Sequence, residues 1–232
     1  MALNSKYDEF YGDHASEQSF QEVNFSGWPK DRVQAIVAMN LSGERILDIG
    51  CGDGYLLYQF RQSFRELLGL EYSPVRLESA RQKLREFAFR PICGSAEKMD
   101  ELQNDSIDCI VTADVIEHIP DVYEASSEMY RVLKPGGVLV INTPNIAFAV
   151  KRLRLLAGRF PSTSQPNEGL GSDVLFDGGH LHYFTFRSLS LLLKRNGFVV
   201  EKKIGFGPCG KVHDFWPELM SVGVQLIVRK PH

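Results

Sequence analysis

The chain has 232 residues, of which 44% are apolar and 24% are charged, and its formal net charge is -3. This length and balance suit one globular α/β domain with a sizeable core, and they argue against a disordered chain. Lysine and arginine together number 26, against 29 aspartates and glutamates. A nucleic-acid-binding protein usually carries a basic surface for the phosphates, so we predict a small-molecule partner and no nucleic acid.

Four cysteines are widely spaced and form no Cys-x-x-Cys pair: Cys51, Cys93, Cys109 and Cys209. We therefore expect neither a disulfide framework nor a structural zinc site, and a cytoplasmic location. The N-terminus carries early acids, and no segment has the roughly 18 apolar residues of a membrane span, so we predict no signal peptide and no membrane partner. A basic patch could still face an anionic ligand; it comprises Lys151, Arg152, Arg154 and Arg159.

Apolar runs of strand and helix period alternate along the first two thirds of the chain. Five short runs rich in Val, Ile and Leu predict strands at 45–49, 67–70, 89–93, 107–113 and 138–142. Helices are predicted between them at 55–64, 74–87 and 122–133, the last ending at the Lys-Pro-Gly-Gly turn at 134–137. Nearly continuous apolar strands are typical of a parallel sheet buried on both faces, so we predict a doubly wound α/β fold.

The C-terminal third begins with a predicted helix at 146–157 and a loop at 158–179. A loop of that length inside a compact domain usually serves as a lid or binding loop. A further helix at 187–196 ends at Gly197, and strands at 199–204 and 222–228 are predicted to form an antiparallel hairpin at the sheet edge. The sheet would then have seven strands, mainly parallel.

The run ILDIGCGDG at 46–54 follows the first strand and opens a helix. Its glycines let the backbone turn sharply and approach a ligand closely. Glu71 ends the second strand, where a carboxylate suits the two hydroxyls of an adenosine ribose. Asp48, just before the glycines, would repel a pyrophosphate but can hold an ammonium group. The pattern therefore favours S-adenosylmethionine over a dinucleotide.

With these motifs in order, the chain resembles the class I S-adenosylmethionine-dependent methyltransferases over residues 44–145. The matching segments are ILDIGCGDGYL, LEYSP, CGSAEKM, SIDCIVTADVIEHIPD and RVLKPGGVLVINTPN. The resemblance implies a Rossmann-like fold in a single domain at 1–232. It divides that domain into an N-terminal helical lid (1–43), a cofactor-binding core (44–145), an acceptor-side helix and loop (146–185), and a C-terminal helix and strands (186–232).

The resemblance also implies roles for particular residues in binding S-adenosylmethionine. The methionine part would lie along Gly50, Cys51 and Gly52, and Glu71 would bind the ribose. Asp48 would organise the loop or meet the ammonium group through water. The adenine would lie beside Tyr72, Ser95, Ala96 and Glu97; many relatives carry Asp at the position of Ser95. Asp114 and Val115 would lie beside the sulfonium, and Tyr11 of the N-terminal segment would close over the cofactor.

Two histidine-bearing segments are the candidates for catalysis. The first is Asp114-x-x-Glu117-His118, for which three interpretations stay open: packing that fixes the loop, a catalytic base, or a divalent-metal site like the one this pattern forms in ubiquinone-biosynthesis O-methyltransferases. We predict no metal. The second is GGHLHYFT at 178–185, where His180 or His182 could deprotonate a substrate hydroxyl because imidazole titrates near neutral pH. The alternative is a structural clamp, and His180 is slightly favoured over His182.

These features predict a methyltransferase that acts on a hydroxyl of a small metabolite or sugar, and they allow a homodimer. Aromatic residues could add apolar walls to the acceptor pocket: Trp28, Phe160, Phe176 and Trp216. An N-methyltransferase of a sugar amine and a noncatalytic cofactor-binding regulator remain alternatives. The segment Asn-Thr-Pro-Asn at 142–145 lacks the Asn/Asp-Pro-Pro-Tyr/Phe signature of enzymes that methylate base nitrogens. Its absence is a further argument against a nucleic-acid substrate.

Overall fold

The computed structural model describes residues 20–163 and 179–232. In these residues the strands are β1 (Gly43–Ile49), β2 (Phe64–Glu71), β3 (Phe89–Cys93), β4 (Ile107–Ala113), β5 (Leu133–Pro144), β6 (Val199–Ile204) and β7 (Gly223–Arg229). The helices are α1 (Arg32–Val37), α2 (Tyr55–Gln59), α3 (Pro74–Lys83), α4 (Val122–Val132), α5 (Ala149–Leu156), α6 (Phe186–Arg195), α7 (Val212–Phe215) and α8 (Pro217–Met220), with a 3-10 helix at Ile116–His118. Among these residues, no helix is both long and apolar enough to cross a bilayer.

All seven strands form one sheet in the order β3-β2-β1-β4-β5-β7-β6. The first five strands are parallel, whereas β7 runs antiparallel to both β5 and β6. The predicted doubly wound, mainly parallel sheet with an antiparallel C-terminal hairpin is therefore confirmed. Because the order reverses between β1 and β4, the crevice beyond their carboxyl ends is where such sheets bind ligands.

Apolar side chains cover both faces of the sheet, as the predicted strand pattern requires. On one face Ile36, Leu57 and Leu77 of α1 to α3 pack against the central strands. On the other face Met129 of α4 and Leu189 of α6 pack against the same strands. Helix α5 contributes no buried residue to either cluster. Burial on two sides explains why these strands lack the alternation of polar and apolar residues found in half-exposed sheets.

Capping residues fix the N-terminal ends of three helices, α3, α4 and α6. The Ser73 side chain accepts a hydrogen bond from the Arg76 backbone and Pro74 opens α3, whereas Asp121 caps α4. Thr185 and Ser188 form a capping box at the start of α6. Such caps satisfy backbone N–H groups that the helix leaves unpaired, and they fix where each helix leaves its loop.

Strand β5 differs from its sequence prediction because it begins earlier and takes in the Pro-Gly-Gly segment. Its ladder with β4 pairs Ile107 with Leu133 and then Cys109 with Val138, so the intervening residues bulge out. Gly136 adopts a φ of 77° there, and its N–H donates to the Lys230 carbonyl beyond β7. Pairing with the distant C-terminus thus places the expected turn inside a strand.

Candidate functional site

A cavity of about 480 Å³ lies beyond the carboxyl ends of β1 to β4. Its wall includes most of the residues assigned from the sequence to the cofactor or to catalysis: Gly50, Glu71, Tyr72, Ser95, Ala96, Glu97, Asp114, Val115, His118 and His180. Because parallel strands end at one edge, loops that are distant in sequence meet there. The wall also includes Arg32, Arg76 and Thr163, which sequence reasoning did not single out.

The glycine loop after β1 is tight enough to need glycine at two positions. Gly50 and Gly52 have φ values of 75° and 55°, a region that side chains rarely adopt. A Cβ atom at Gly50 would lie 2.3 Å from Cγ2 of Val115, and one at Gly52 would lie 2.4 Å from a guanidinium nitrogen of Arg76. The loop therefore packs directly on the β4 exit and on α3; Gly50 lines the cavity, whereas Gly52 is not among the lining residues.

The Glu71 carboxylate joins the glycine loop to the end of β2. Its Oε2 accepts a hydrogen bond of 2.9 Å from the Gly52 N–H, and its Oε1 accepts one of 3.0 Å from the Ser73 N–H. Arg76 lies 3.9 Å from Oε2. Although the side chain is almost fully buried, it lines the cavity. Each carboxylate oxygen can accept a further hydrogen bond, so the group is held in place and can still receive ribose hydroxyls.

Asp48 and Cys51 are placed behind this loop, outside the residues that line the cavity. Burial raises the pKa of Asp48 well above its usual value, the Glu71 carboxylate raises it further, and Arg76 opposes the shift. The Cys51 side chain packs in the apolar cluster beneath the sheet, and burial raises the pKa of its thiol. Both side chains are thus buried in the core and do not line the cavity.

Around the loop after β3, the cavity wall combines apolar and hydrogen-bonding groups. Tyr72 and Ala96 line it together with the loop after β3. The Ser95 hydroxyl donates to Oε2 of Glu97 at 2.8 Å, while Oε1 of Glu97 accepts from the Asp121 N–H at 2.7 Å. Glu97 therefore brings a carboxylate to the place where Ser95 replaces the aspartate of many relatives.

Asp114 follows β4 in a strained left-handed conformation, with a φ of 54°. Its carboxylate pairs with Arg32 at 3.0 Å, and its N–H donates to the Asn142 carbonyl of β5. Arg32 belongs to α1, so this ion pair ties the first described helix to the cavity wall. The neighbouring Val115 packs on Gly50, as described above.

Glu117 is a buried residue of the cavity wall, with an exposed fraction of 1%. Its Oε2 accepts a hydrogen bond of 2.9 Å from the Thr143 hydroxyl, while its Oε1 has no hydrogen-bond partner among the described residues. Burial, and next the Asp114 carboxylate, raise the pKa of Glu117 to about 8, although Thr143 and Arg32 act in the opposite direction. Below that pH the group is neutral.

We expect Glu117→Gln to make stability less sensitive to a rise in pH between about 4.5 and 8. The native Glu117 carboxyl keeps its proton up to about pH 8, whereas in the unfolded chain it ionises near 4.5. Between these values the folded state binds more protons than the unfolded state. The free energy of unfolding of the unchanged protein therefore falls as pH rises, by up to about 1.4 kcal/mol per pH unit. Glutamine can still accept from Thr143 but has no proton to lose.

Urea denaturation at about pH 6 and about pH 8, with a chelator present, measures this difference. The unchanged protein should lose more stability across that window than Glu117→Gln. Equal losses in the two proteins would contradict a carboxyl that is neutral in the native state.

Two histidines meet at the acceptor side of the cavity. Nδ1 of His118 lies 3.2 Å from the Gly179 carbonyl oxygen, and Nδ1 of His180 lies 2.6 Å from the Thr163 hydroxyl. The centroids of the two rings are 4.6 Å apart in an edge-to-face arrangement. The backbone carbonyl of Glu117 accepts from the N–H groups at 181 and 182, which holds the two histidine-bearing segments together.

His182 is placed differently from the other two histidines. It is absent from the residues that line the cavity, its Nε2 lies 3.3 Å from the Pro120 carbonyl oxygen, and its ring packs near Phe184. This arrangement fits the structural clamp that the sequence left open as an alternative for this segment.

The same region contains a possible metal-binding group. One ligand atom each from Glu117, His118 and His180 lies within 4.8 Å of the others. A carboxylate with two imidazoles is a common donor set for divalent transition metals. Asp114, which the sequence pattern grouped with Glu117 and His118, instead pairs with Arg32. The sequence prediction that no metal is bound stays a prediction.

Of the predicted aromatic walls, the three that fall in the described residues do not line the cavity. Trp28 donates from Nε1 to the Gly205 carbonyl at 2.7 Å, Phe160 packs edge-to-face on Tyr183, and Trp216 is exposed. Tyr11 and Phe176 lie outside the described residues.

Comparison with known protein families identifies the domain type. A family model described as a methyltransferase domain matches residues 20–203. A probable S-adenosylmethionine-dependent methyltransferase from Mycolicibacterium smegmatis is 29% identical over 169 residues, covering 73% of this chain and 57% of that protein. A ubiquinone biosynthesis O-methyltransferase from Methylococcus capsulatus is 29% identical, covering 56% of each chain. The chain thus spans little more than half the length of these relatives.

Solved structures show the same fold. An S-adenosylmethionine-dependent methyltransferase from Mesorhizobium loti aligns with a TM-score of 0.64 at 22% identity, covering 84% of this chain and 96% of that one. The cyclase SpnF aligns with a TM-score of 0.66 at 17% identity, covering 99% of this chain and 96% of that one. The fold, the glycine loop with Glu71 and the family match agree: the chain belongs to the methyltransferase-domain family, which confirms its resemblance to the class I S-adenosylmethionine-dependent enzymes.

Proposed function

We propose that this protein transfers the methyl group of S-adenosylmethionine to a hydroxyl of a small molecule. One observation carries the proposal: a single cavity holds the Glu71 carboxylate with the glycine loop on one side and the His118–His180 pair on the other. The first half suits the methyl donor, and the second suits an acceptor that must lose a proton.

The donor would follow the cavity wall from the glycine loop to the β3 exit. Its methionine part would lie along the backbone at Gly50, and the Glu71 carboxylate would receive the ribose hydroxyls. The adenine would lie between Tyr72 and the loop that carries Ala96 and Glu97. In this order the methyl group would lie near Asp114, at the end of β4 and next to the histidine pair.

Transfer to a hydroxyl is an in-line displacement in which a C–O bond forms as the C–S bond breaks. S-adenosylhomocysteine leaves as a neutral thioether, and the hydroxyl proton goes to a base. His118 suits the role of this base because its contact with the Gly179 carbonyl fixes its tautomer. A backbone carbonyl can only accept a hydrogen bond. The contact with Gly179 therefore puts the proton on Nδ1 and the lone pair on Nε2. At His180 the Thr163 hydroxyl can donate or accept, so its tautomer is not set in this way.

A metal-assisted form of the same reaction is the second candidate, and the grouping of Glu117, His118 and His180 favours it. These three side chains would hold a divalent cation, which supplies acidification of a bound hydroxyl. A chelator separates the two forms, since the metal-free reaction survives it.

The experiment that tests the function supplies methyl-labelled S-adenosylmethionine with panels of phenols, sugars and amines. Label in a hydroxyl, blocked by added S-adenosylhomocysteine, is the expected result. Label only in amines would replace the hydroxyl acceptor with a nitrogen. Tight binding of S-adenosylhomocysteine without transfer to any acceptor would favour the regulatory alternative.

A further inference from the structure

Helix α5 exposes an apolar face that no part of the proposed reaction uses. The exposed fractions of Val150, Leu153 and Leu156 are 48%, 64% and 83%, and no residue of the helix is buried. Leu155, on the other side of the helix, and Phe160 beyond its end are also exposed. A group of large apolar side chains in contact with solvent is typical of an interaction surface. A partner that covers it releases ordered water, which favours binding.

The helix is amphipathic and its apolar stripe faces outward. At about 100° per residue, Val150, Leu153 and Leu156 share roughly one third of the circumference. Arg152 and Arg154 flank this stripe on either side. A surface helix of a globular domain normally turns such a stripe toward the core, whereas α5 leaves its stripe exposed.

The charge around the stripe is uniformly basic. Residues 146–163 include Lys151, Arg152, Arg154 and Arg159 and no acid, although the whole chain has a net charge of -3. An apolar stripe bordered by basic residues is the pattern of helices that lie in the interface of an anionic bilayer. Long basic side chains keep their charges at the headgroups while their stems lie along the apolar surface.

The position of α5 connects this surface to the acceptor side of the cavity. The helix follows β5 at the carboxyl edge of the sheet, and Pro144 at the end of β5 lines the cavity. The Lys151 ammonium group donates to the Ser162 carbonyl. The next residue, Thr163, lines the cavity and contacts His180.

We propose that α5 and Phe160 dock this protein on an anionic lipid surface, with the acceptor side of the cavity next to the bilayer. The sequence prediction of no membrane partner rested on the lack of a spanning segment, which does not bear on a helix that lies in the interface. Anionic lipid fits better than nucleic acid, because phosphate contacts would not explain outward-facing leucines.

The test is co-sedimentation of the full chain with sucrose-loaded vesicles. One set contains phosphatidylcholine alone, and the other contains about one third phosphatidylglycerol. We expect binding to the anionic vesicles that weakens on their replacement by neutral ones and at high salt. Leu153→Ser with Leu156→Ser should reduce the partition coefficient about tenfold or more. Arg152→Ser with Arg154→Ser should reduce it about fivefold per charge.

Leu191→Ser is the matched control, because Leu191 is a comparably exposed leucine of α6. It should bind vesicles like the unchanged protein, and circular dichroism should show that all variants remain folded. The proposal is overturned if the anionic vesicles capture none of the unchanged protein, or if Leu191→Ser loses as much binding as the α5 variant. It also fails if sedimentation equilibrium shows a dimer in solution that the α5 variant dissociates, since a second copy would then cover the stripe.

Discussion

Glu71→Ala should weaken the binding of S-adenosylhomocysteine by roughly 10- to 100-fold. A charge-assisted pair of hydrogen bonds to the ribose contributes about 1.5 to 3 kcal/mol, which corresponds to that range. The carboxylate also accepts from the Gly52 and Ser73 N–H groups, so its loss leaves the glycine loop without its tie to β2. Isothermal titration calorimetry gives the dissociation constants directly.

Two further variants show whether charge or loop geometry accounts for the loss. Glu71→Gln keeps an oxygen that can accept from Gly52 and lacks the charge, so its affinity should lie between those of the unchanged protein and the alanine variant. Glu78→Ala removes an exposed acid of the adjacent helix α3 and should leave affinity unchanged. If Glu71→Ala, shown by its melting curve to be folded, binds within about threefold of the unchanged protein, the assignment of the ribose site is wrong.

The sheet, and the meeting of the glycine loop with Glu71 at its carboxyl edge, could be predicted because local sequence determines them. Short apolar runs buried on both faces specify parallel strands, and the glycine spacing specifies the loop after β1. Glu71 ends β2, which is parallel to β1, so it lies at the same edge of the sheet as the glycine loop. The glycine motif determines the path of the backbone but not the direction of the Cys51 side chain. In the structure this side chain packs into the core.

The acceptor half could be predicted only as separate fragments. His118 and His180 meet through contacts between residues distant in sequence, including the bond from His118 to the Gly179 carbonyl. Glu117 lies in the 3-10 helix after β4, and its partner Thr143 lies on β5. A single sequence carries no periodic signal for such pairs, because they depend on how loops close after the sheet has formed. The outward-facing stripe of α5 is equally invisible, since an amphipathic pattern does not say which face is buried.

His118→Asn should lower kcat for a hydroxyl acceptor by about 10²- to 10⁴-fold, the usual contribution of a general base. The asparagine amide can still donate to the Gly179 carbonyl, so the loop should keep its contact while the basic nitrogen is lost. Affinity for S-adenosylhomocysteine should stay within about twofold, since the imidazole lies on the acceptor side. His182→Asn is the matched control, and it should leave kcat nearly unchanged because His182 does not line the cavity.

Acceptors of different acidity distinguish two roles for His118, that of a catalytic base and that of a residue that only supports the loop. A nitrophenol that is already ionised at the assay pH has no proton to give up, so it should restore most of the rate to His118→Asn. A variant that had merely disordered the loop would be slow with both kinds of acceptor. His180 is the base if His180→Asn, and not His118→Asn, shows the large loss of kcat with a hydroxyl acceptor and regains the rate with the ionised nitrophenol. The fixed tautomer of His118 would then serve to orient its neighbour, because the two rings are in edge-to-face contact.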